Sequence, residues 1–194
     1  MEPMRHTIGL SLCLTAIIVL AGCHEFLTSR QTAVTVIVEG NGKFPDALAG
    51  RWKADRDGWE FVIDTDGRIT SAVHSLGRIR IAPGRKATLP TRGGGEGVFE
   101  PGPWTVHYQR NTSQLTLRIA MDHIRIDMAG TILEGKSTDT FAGTIAPADG
   151  VWQTQWTTFN NYTARTPDGQ TKDLSTNQTY GETKALTFQK VAPP

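Results

Sequence analysis

The chain predicts an all-β fold, an antiparallel meander of about eight to ten short strands closed into a barrel, with a β-sandwich as the alternative. Three observations carry that expectation. Apolar residues alternate with polar ones at period two through most of the chain and almost nowhere recur at helical spacing. The 20 glycines and 10 prolines stand between the apolar runs, where turns belong. The runs themselves are short and regularly spaced, and closing a meander of such strands removes its exposed edges.

Taken in order, residues 32–38, TAVTVIV, form a β-branched run suited to a first strand. In AGRWKAD, Trp52 and Ala54 share one face and Arg51 and Lys53 the other. In GWEFVID, Trp59, Phe61 and Ile63 alternate with Glu60, Val62 and Asp64. The turn DTDG at 64–67 then leads into RITSAVH, where Ile69, Ser71 and Val73 share a face, so a hairpin is expected. His74 ends that strand and reads as a turn residue. Residues 82–103, APGRKATLPTRGGGEGVFEPGP, read as a long loop.

Beyond it Trp104, Val106 and Tyr108 alternate with Thr105, His107 and Gln109, and NTS at 111–113 supplies a turn. Leu115, Leu117, Ile119 and Met121 line the next apolar side, followed by Ile124, Ile126 and Met128. Further strands are expected around Ile132 and Leu133, at Phe141, Gly143 and Ile145, at Trp152, Thr154 and Trp156, and at Leu186 and Phe188. Residues 160–184 carry almost no aliphatic side chain and read as a long hairpin excursion or loop before the last strand. Of the five tryptophans, Trp59, Trp104, Trp152 and Trp156 can face one interior. Core packing is the first explanation for them and a ligand-lined cavity the second.

The start of the chain has the three-part layout of a secretory signal: a short polar stretch with Arg5, an apolar run from Thr7 to Leu20, then Ala21, Gly22 and Cys23. The run is shorter than the roughly 20 residues a helix needs to cross a bilayer. Leu20-Ala21-Gly22-Cys23 resembles the lipobox of bacterial lipoproteins. That resemblance implies cleavage before Cys23, diacylglycerol on its thiol and acylation, for example by palmitate, of the new amino terminus. Residues 1–22 are then a signal peptide, 23–31 a lipidated tether and 32–194 a single domain. Two or three acyl chains make the anchor effectively permanent. His24, where aspartate would favour retention in the inner membrane, implies outer-membrane sorting in a host with two membranes. Cys13 leaves with the signal and Cys23 carries lipid, so the mature domain has no thiol or disulfide.

Gly50-Arg51-Trp52, continued by WEFVIDTDGRI at 59–69, resembles the opening of small bacterial lipocalin-like domains. The resemblance implies an eight-stranded meander barrel in which the glycine allows close chain approach, the indole plugs one end and a ligand has room inside. The same stretch is similar to barrel-shaped periplasmic inhibitors of secreted metalloproteases, which usually carry a disulfide that this domain lacks.

A formal net charge of +1 gives no global attraction to nucleic acid. His107, His123 and Asp127 fall on the polar side of their strands, where cross-strand pairs on a solvated face are expected and a metal site is not. Asp64 and Asp66 read as turn formers, and RGGGEG at 92–97 lacks the residues of a phosphate cradle. No cofactor and no catalytic constellation is expected. Trp52, Trp104 and Tyr108 are the candidate walls of an interior ligand site. Arg78, Arg80 and Arg85, with Lys86 and Arg92, form a basic cluster that could meet lipid phosphates, an acidic glycan or a protein. The expected function is that of a non-enzymatic, membrane-anchored envelope lipoprotein binding a small apolar or amphipathic ligand. The alternative is a protein-interaction module, inhibitor-like or an accessory subunit of an envelope complex.

Overall fold

Alternation becomes strand almost wherever it occurs. The computed structural model describes residues 33–91 and 94–191, and these form thirteen strands in one mixed sheet, with no α-helix among the described residues. The first half holds β1 (Val34–Glu39), β2 (Gly50–Ala54), β3 (Glu60–Ile63), β4 (Ile69–His74), β5 (Ile79–Ile81), β6 (Ala87–Pro90) and β7 (Glu96–Pro101). The second holds β8 (Trp104–Gln109), β9 (Gln114–Met128), β10 (Thr131–Ala146), β11 (Val151–Arg165), β12 (Thr171–Asp173) and β13 (Glu182–Val191). Thr32–Pro194 groups as one compact unit. No helix among the described residues is long and apolar enough to cross a membrane.

Hydrogen-bonded neighbours run β1-β8-β9-β10-β11-β13-β2-β3-β4-β5, with the β6–β7 hairpin attached to β9 and β12 attached to β11. β13 returns to β2, Phe188 opposite Ala54 and Lys190 opposite Trp52, so the end of the chain pairs with an early strand. The ring stops short of closure. Among the described residues no ladder joins β5 to β1. The expected closed antiparallel meander is therefore corrected to an open, mixed sheet. The physical reason lies in β1, which runs parallel to β8, Val34 opposite Trp104, and occupies the edge a closing strand would need. Side chains pack at the seam instead: Phe44 and Val36 lie against Gly67 of the β3–β4 turn, and Ala33 against Gly84.

Residues 82–103, expected as a long loop, and 160–184, expected as a long hairpin excursion or loop, both contain strands. Within 82–103, β6 pairs with β7 and β7 with β9, placing the fully buried Phe99 opposite Ile124. Within 160–184, β11 continues to Arg165, and β12 folds back on Thr163–Arg165. The strap at 174–181 stays bonded to β11, Leu174 N–H donating to Tyr162 O and Thr176 N–H to Asn160 O. Backbone pairing with a long neighbour orders a polar sequence whose side chains offer little to bury.

The core is aromatic. Trp52, Trp59, Trp104, Trp152, Phe61, Phe99, Phe141 and Phe188 are all fully buried. Phe61 stacks on Phe188 with ring centroids 5.2 Å apart, and Trp59 meets Phe141 edge-on at 4.9 Å, separations at which aromatic pairs attract beyond their buried area. One bulge changes its lining. Ile63 pairs with Ile69 but Val62 with Ser71, so Thr70 is an extra residue in β4. The inward parity then passes to Ala72, opposite Phe61, and to His74, while Ser71 turns out to receive Arg80. The expected shared face of Ile69, Ser71 and Val73 is corrected accordingly, and His74 is a buried strand residue rather than a turn residue.

Candidate functional site

The residues expected to form a ligand site do not converge. Trp52, Trp104 and Tyr108 lie in the core. The Trp52 indole N–H donates to Leu48 O at 2.9 Å and that of Trp104 to Ala120 O at 3.1 Å, while Tyr108 meets Phe44 edge-on at 6.0 Å. Gly50 does permit a close approach: it sits at φ +131°, and a Cβ there would lie 2.8 Å from Lys190 Cε. Arg80 is on the outer face, its guanidinium 3.5 Å from Glu60, a carboxylate also held by Arg51 at 2.6 Å. Arg78 ends a short 3-10 turn at φ +52°, Arg85 bridges back to Ala82, and Lys86 pairs with Glu100 at 2.7 Å. The basic cluster is thus partly neutralised. Cys23 and Arg92 lie outside the described residues. His107 pairs with Glu39 at 2.6 Å and His123 with Glu134 at 3.0 Å, the second contact holding the Glu134 carboxyl below its usual range.

A polar cluster sits inside the aromatic core, with Asp139 as its hub. Asp139 is 2% exposed, His74 3% and Ser137 4%. The Trp156 indole N–H donates to Asp139 Oδ1 at 2.9 Å, and the Ser137 hydroxyl donates to Oδ2 at 3.4 Å. His74 Nε2 lies 3.5 Å from the same Oδ2. Its Nδ1 accepts the Leu76 backbone N–H at 3.2 Å, so the neutral ring carries its proton on Nε2, facing the carboxylate. Burial pushes the neighbouring Tyr162 phenol up to about 12, with the Ser137 hydroxyl opposing and the Asp139 carboxylate adding to the rise. A serine nucleophile needs an imidazole between hydroxyl and carboxylate. Here the carboxylate stands between the other two, so the imidazole does not reach Ser137, and the cluster brings β4, β10 and β11 together.

A second polar site is open to solvent. On the outer face of β9, β10 and β11 a cleft of about 260 Å³ runs between Pro103 and Gln178. Arg118, Asp122, Lys136, Thr138 and Asn161 line it with the half-buried Phe159. Bulges shape its floor. Asp122 has no partner on β7, where Glu100 pairs with His123 and Pro101 with Met121. On the other side Lys136 alone spans the gap between the Gly135–Ile124 and Ser137–Met121 pairs. Gly102 makes room for the bulged carboxylate, since a Cβ there would overlap Asp122.

Neither a protein-family model nor a curated protein nor a solved structure matches this chain. Its site residues therefore rest on geometry. Asp139 and Ser137 had a signal in the sequence, because the parity that puts Phe141 and Ile145 inside puts them inside as well. His74 and the cleft had none, since both depend on bulges.

Proposed function

We propose that this chain is a lipid-anchored envelope protein, attached through an acylated Cys23, that acts without catalysis as a recognition module at its outer surface. The observation that carries the reading is the filled interior. Eight large aromatic side chains, Trp52 and Trp104 among them, are fully buried against one another and their neighbours, which leaves their faces unavailable to a carried ligand. The order of groups in the His74–Asp139–Ser137 cluster supports a structural role over a catalytic one. Within this reading the sheet is a lipocalin-like meander curled round its core and left open at the β1–β5 seam, rather than a sandwich of two separate sheets. Anchoring in the outer membrane follows from His24 in a host with two membranes.

Two measurements on the full chain test the proposal. A fatty-acid analogue fed to cells should label the wild type and spare Cys23→Ser, and equal label on both refutes the anchor. Palmitate titrated into the purified protein should leave tryptophan emission unchanged, whereas saturable quenching means an interior site and refutes the filled interior.

A further inference from the structure

The outer cleft deepens that reading, on which it rests, because it supplies a surface with a definable ligand. We infer that the β9–β10–β11 cleft binds an acidic sugar, a pyranose bearing a carboxylate. Charge comes first. Among the described residues, Arg118 and Lys136 are exposed and make no ion pair, and Asp122 is the one carboxylate lining the cleft. Two free cations against one carboxylate favour an anion, and arginine binds a carboxylate by a two-pronged contact.

The neutral lining then selects among anions. Asn161 donates from an amide whose oxygen is already engaged by Ser175, and Thr138 adds a hydroxyl. Gln178 is oriented by its own side-chain N–H groups, which donate to Asn160 O at 2.7 Å and Thr176 O at 2.8 Å. That leaves its amide oxygen as an acceptor fixed at the cleft wall. Fixed donors and acceptors of both kinds suit vicinal hydroxyls, each of which donates and accepts. The half-buried Phe159 adds an apolar side chain to the lining, suited to the C–H side of a sugar ring.

Size and backbone pairing argue against a peptide. The volume of about 260 Å³ lies below the roughly 300–1,000 Å³ usual for ligand pockets, which fits a single ring. β9, β10 and β11 are hydrogen-bonded on both sides along the cleft. No free edge is offered there to an added peptide strand. The Asp122 bulge supports a binding role as well, since bulges recur where a side chain must be re-aimed.

The test is calorimetric titration of the full chain in detergent with glucuronate, galacturonate, mannuronate and N-acetylmuramate. Glucose, galactose, mannose, N-acetylglucosamine and acetate are the controls. At least one acidic sugar should bind saturably, at least ten-fold tighter than its neutral counterpart and than acetate. Arg118→Gln and Lys136→Met, both at exposed positions, should each weaken that binding ten-fold or more with the thermal midpoint unchanged. Asn161→Ala should weaken it without altering the preference for acid over neutral sugar. The inference is overturned if no acidic sugar saturates, if acetate binds as well as the sugars, or if affinity survives loss of both cations. Palmitate quenching in a parallel titration would count against the filled interior alone, so the two failures are distinguishable.

Discussion

Asp139 accepts two buried hydrogen bonds on one carboxylate and has a third buried donor, His74 Nε2, facing it at 3.5 Å without a hydrogen bond, and removing it would strand the two it holds. Trp156 Nε1, Ser137 Oγ and His74 Nε2 face it from β11, β10 and β4. Breaking a buried polar group of this kind costs about 3–5 kcal/mol when its partners stay behind. Asp139→Ala should show that loss in urea unfolding, and a cost below about 1 kcal/mol would mean that the cluster relaxes to water. Tyr162 makes the same region sensitive to alkali. Its phenol is raised from 10.0 to about 12 in the fold, so its contribution is complete below pH 10 and disappears as pH climbs through 12. At 1.36 kcal/mol per pH unit the wild type should lose roughly 2–3 kcal/mol over that interval. Tyr162→Phe should lack that slope, measured as unfolding free energy against pH.

At the scale of elements, single extra residues decide which side chains enter the core and which reach solvent. Thr70 turns His74 inward, and Asp122 stands out of both of its ladders. The β6–β7 hairpin shows the complementary case, a segment ordered by its neighbour. Its composition reads as a long loop, yet Gly97 pairs with Ile126 and Phe99 is fully buried. Replacing 84–97 with a short Gly-Ser linker should therefore uncover Ile126 and loosen Phe99, at a cost of roughly 3 kcal/mol. For a chain of this size that means a fall in thermal midpoint of about 6–12 °C, read by calorimetry. An unchanged midpoint would show that β9 and the rest of β7 hold together without β6 and the start of β7.

For the whole molecule the governing fact is one aromatic core beneath a single sheet that curls until β13 meets β2. Trp104 tests whether that core is continuous. Its ring is fully buried and its N–H satisfied, so Trp104→Ala should cost about 3–5 kcal/mol through the cavity it leaves. The same substitution should leave acidic-sugar titrations unaltered once the protein is kept well below its new midpoint. A mild stability cost combined with altered ligand response would relocate the site to the interior. The open seam between β5 and β1 leaves β1 as an edge strand, where outward-facing Glu39 pairs with His107 and Ile37 is 47% exposed.

The all-β class, the hairpin around DTDG and most of the core were legible in the sequence, because strand parity is a local property that the Trp59-Phe61-Ile63 and Leu115-Leu117-Ile119 alternations record directly. The Asp64 turn was legible for the same reason, its carboxylate accepting the N–H groups of Asp66 and Arg68 two and four residues on. Anchoring through Cys23 rests on sequence alone. Tertiary structure decided the rest. The parallel pairing of β1 with β8 joins residues about seventy apart, and no local pattern reports it. The polar strands β6 and β12 form because a longer neighbour offers a ladder. The Thr70 and Asp122 bulges arise from register between strands, and one residue of slip exchanges inside for outside. Both the buried His74–Asp139 cluster and the outer cleft depend on that slip, which is why neither could be read before the strands were paired.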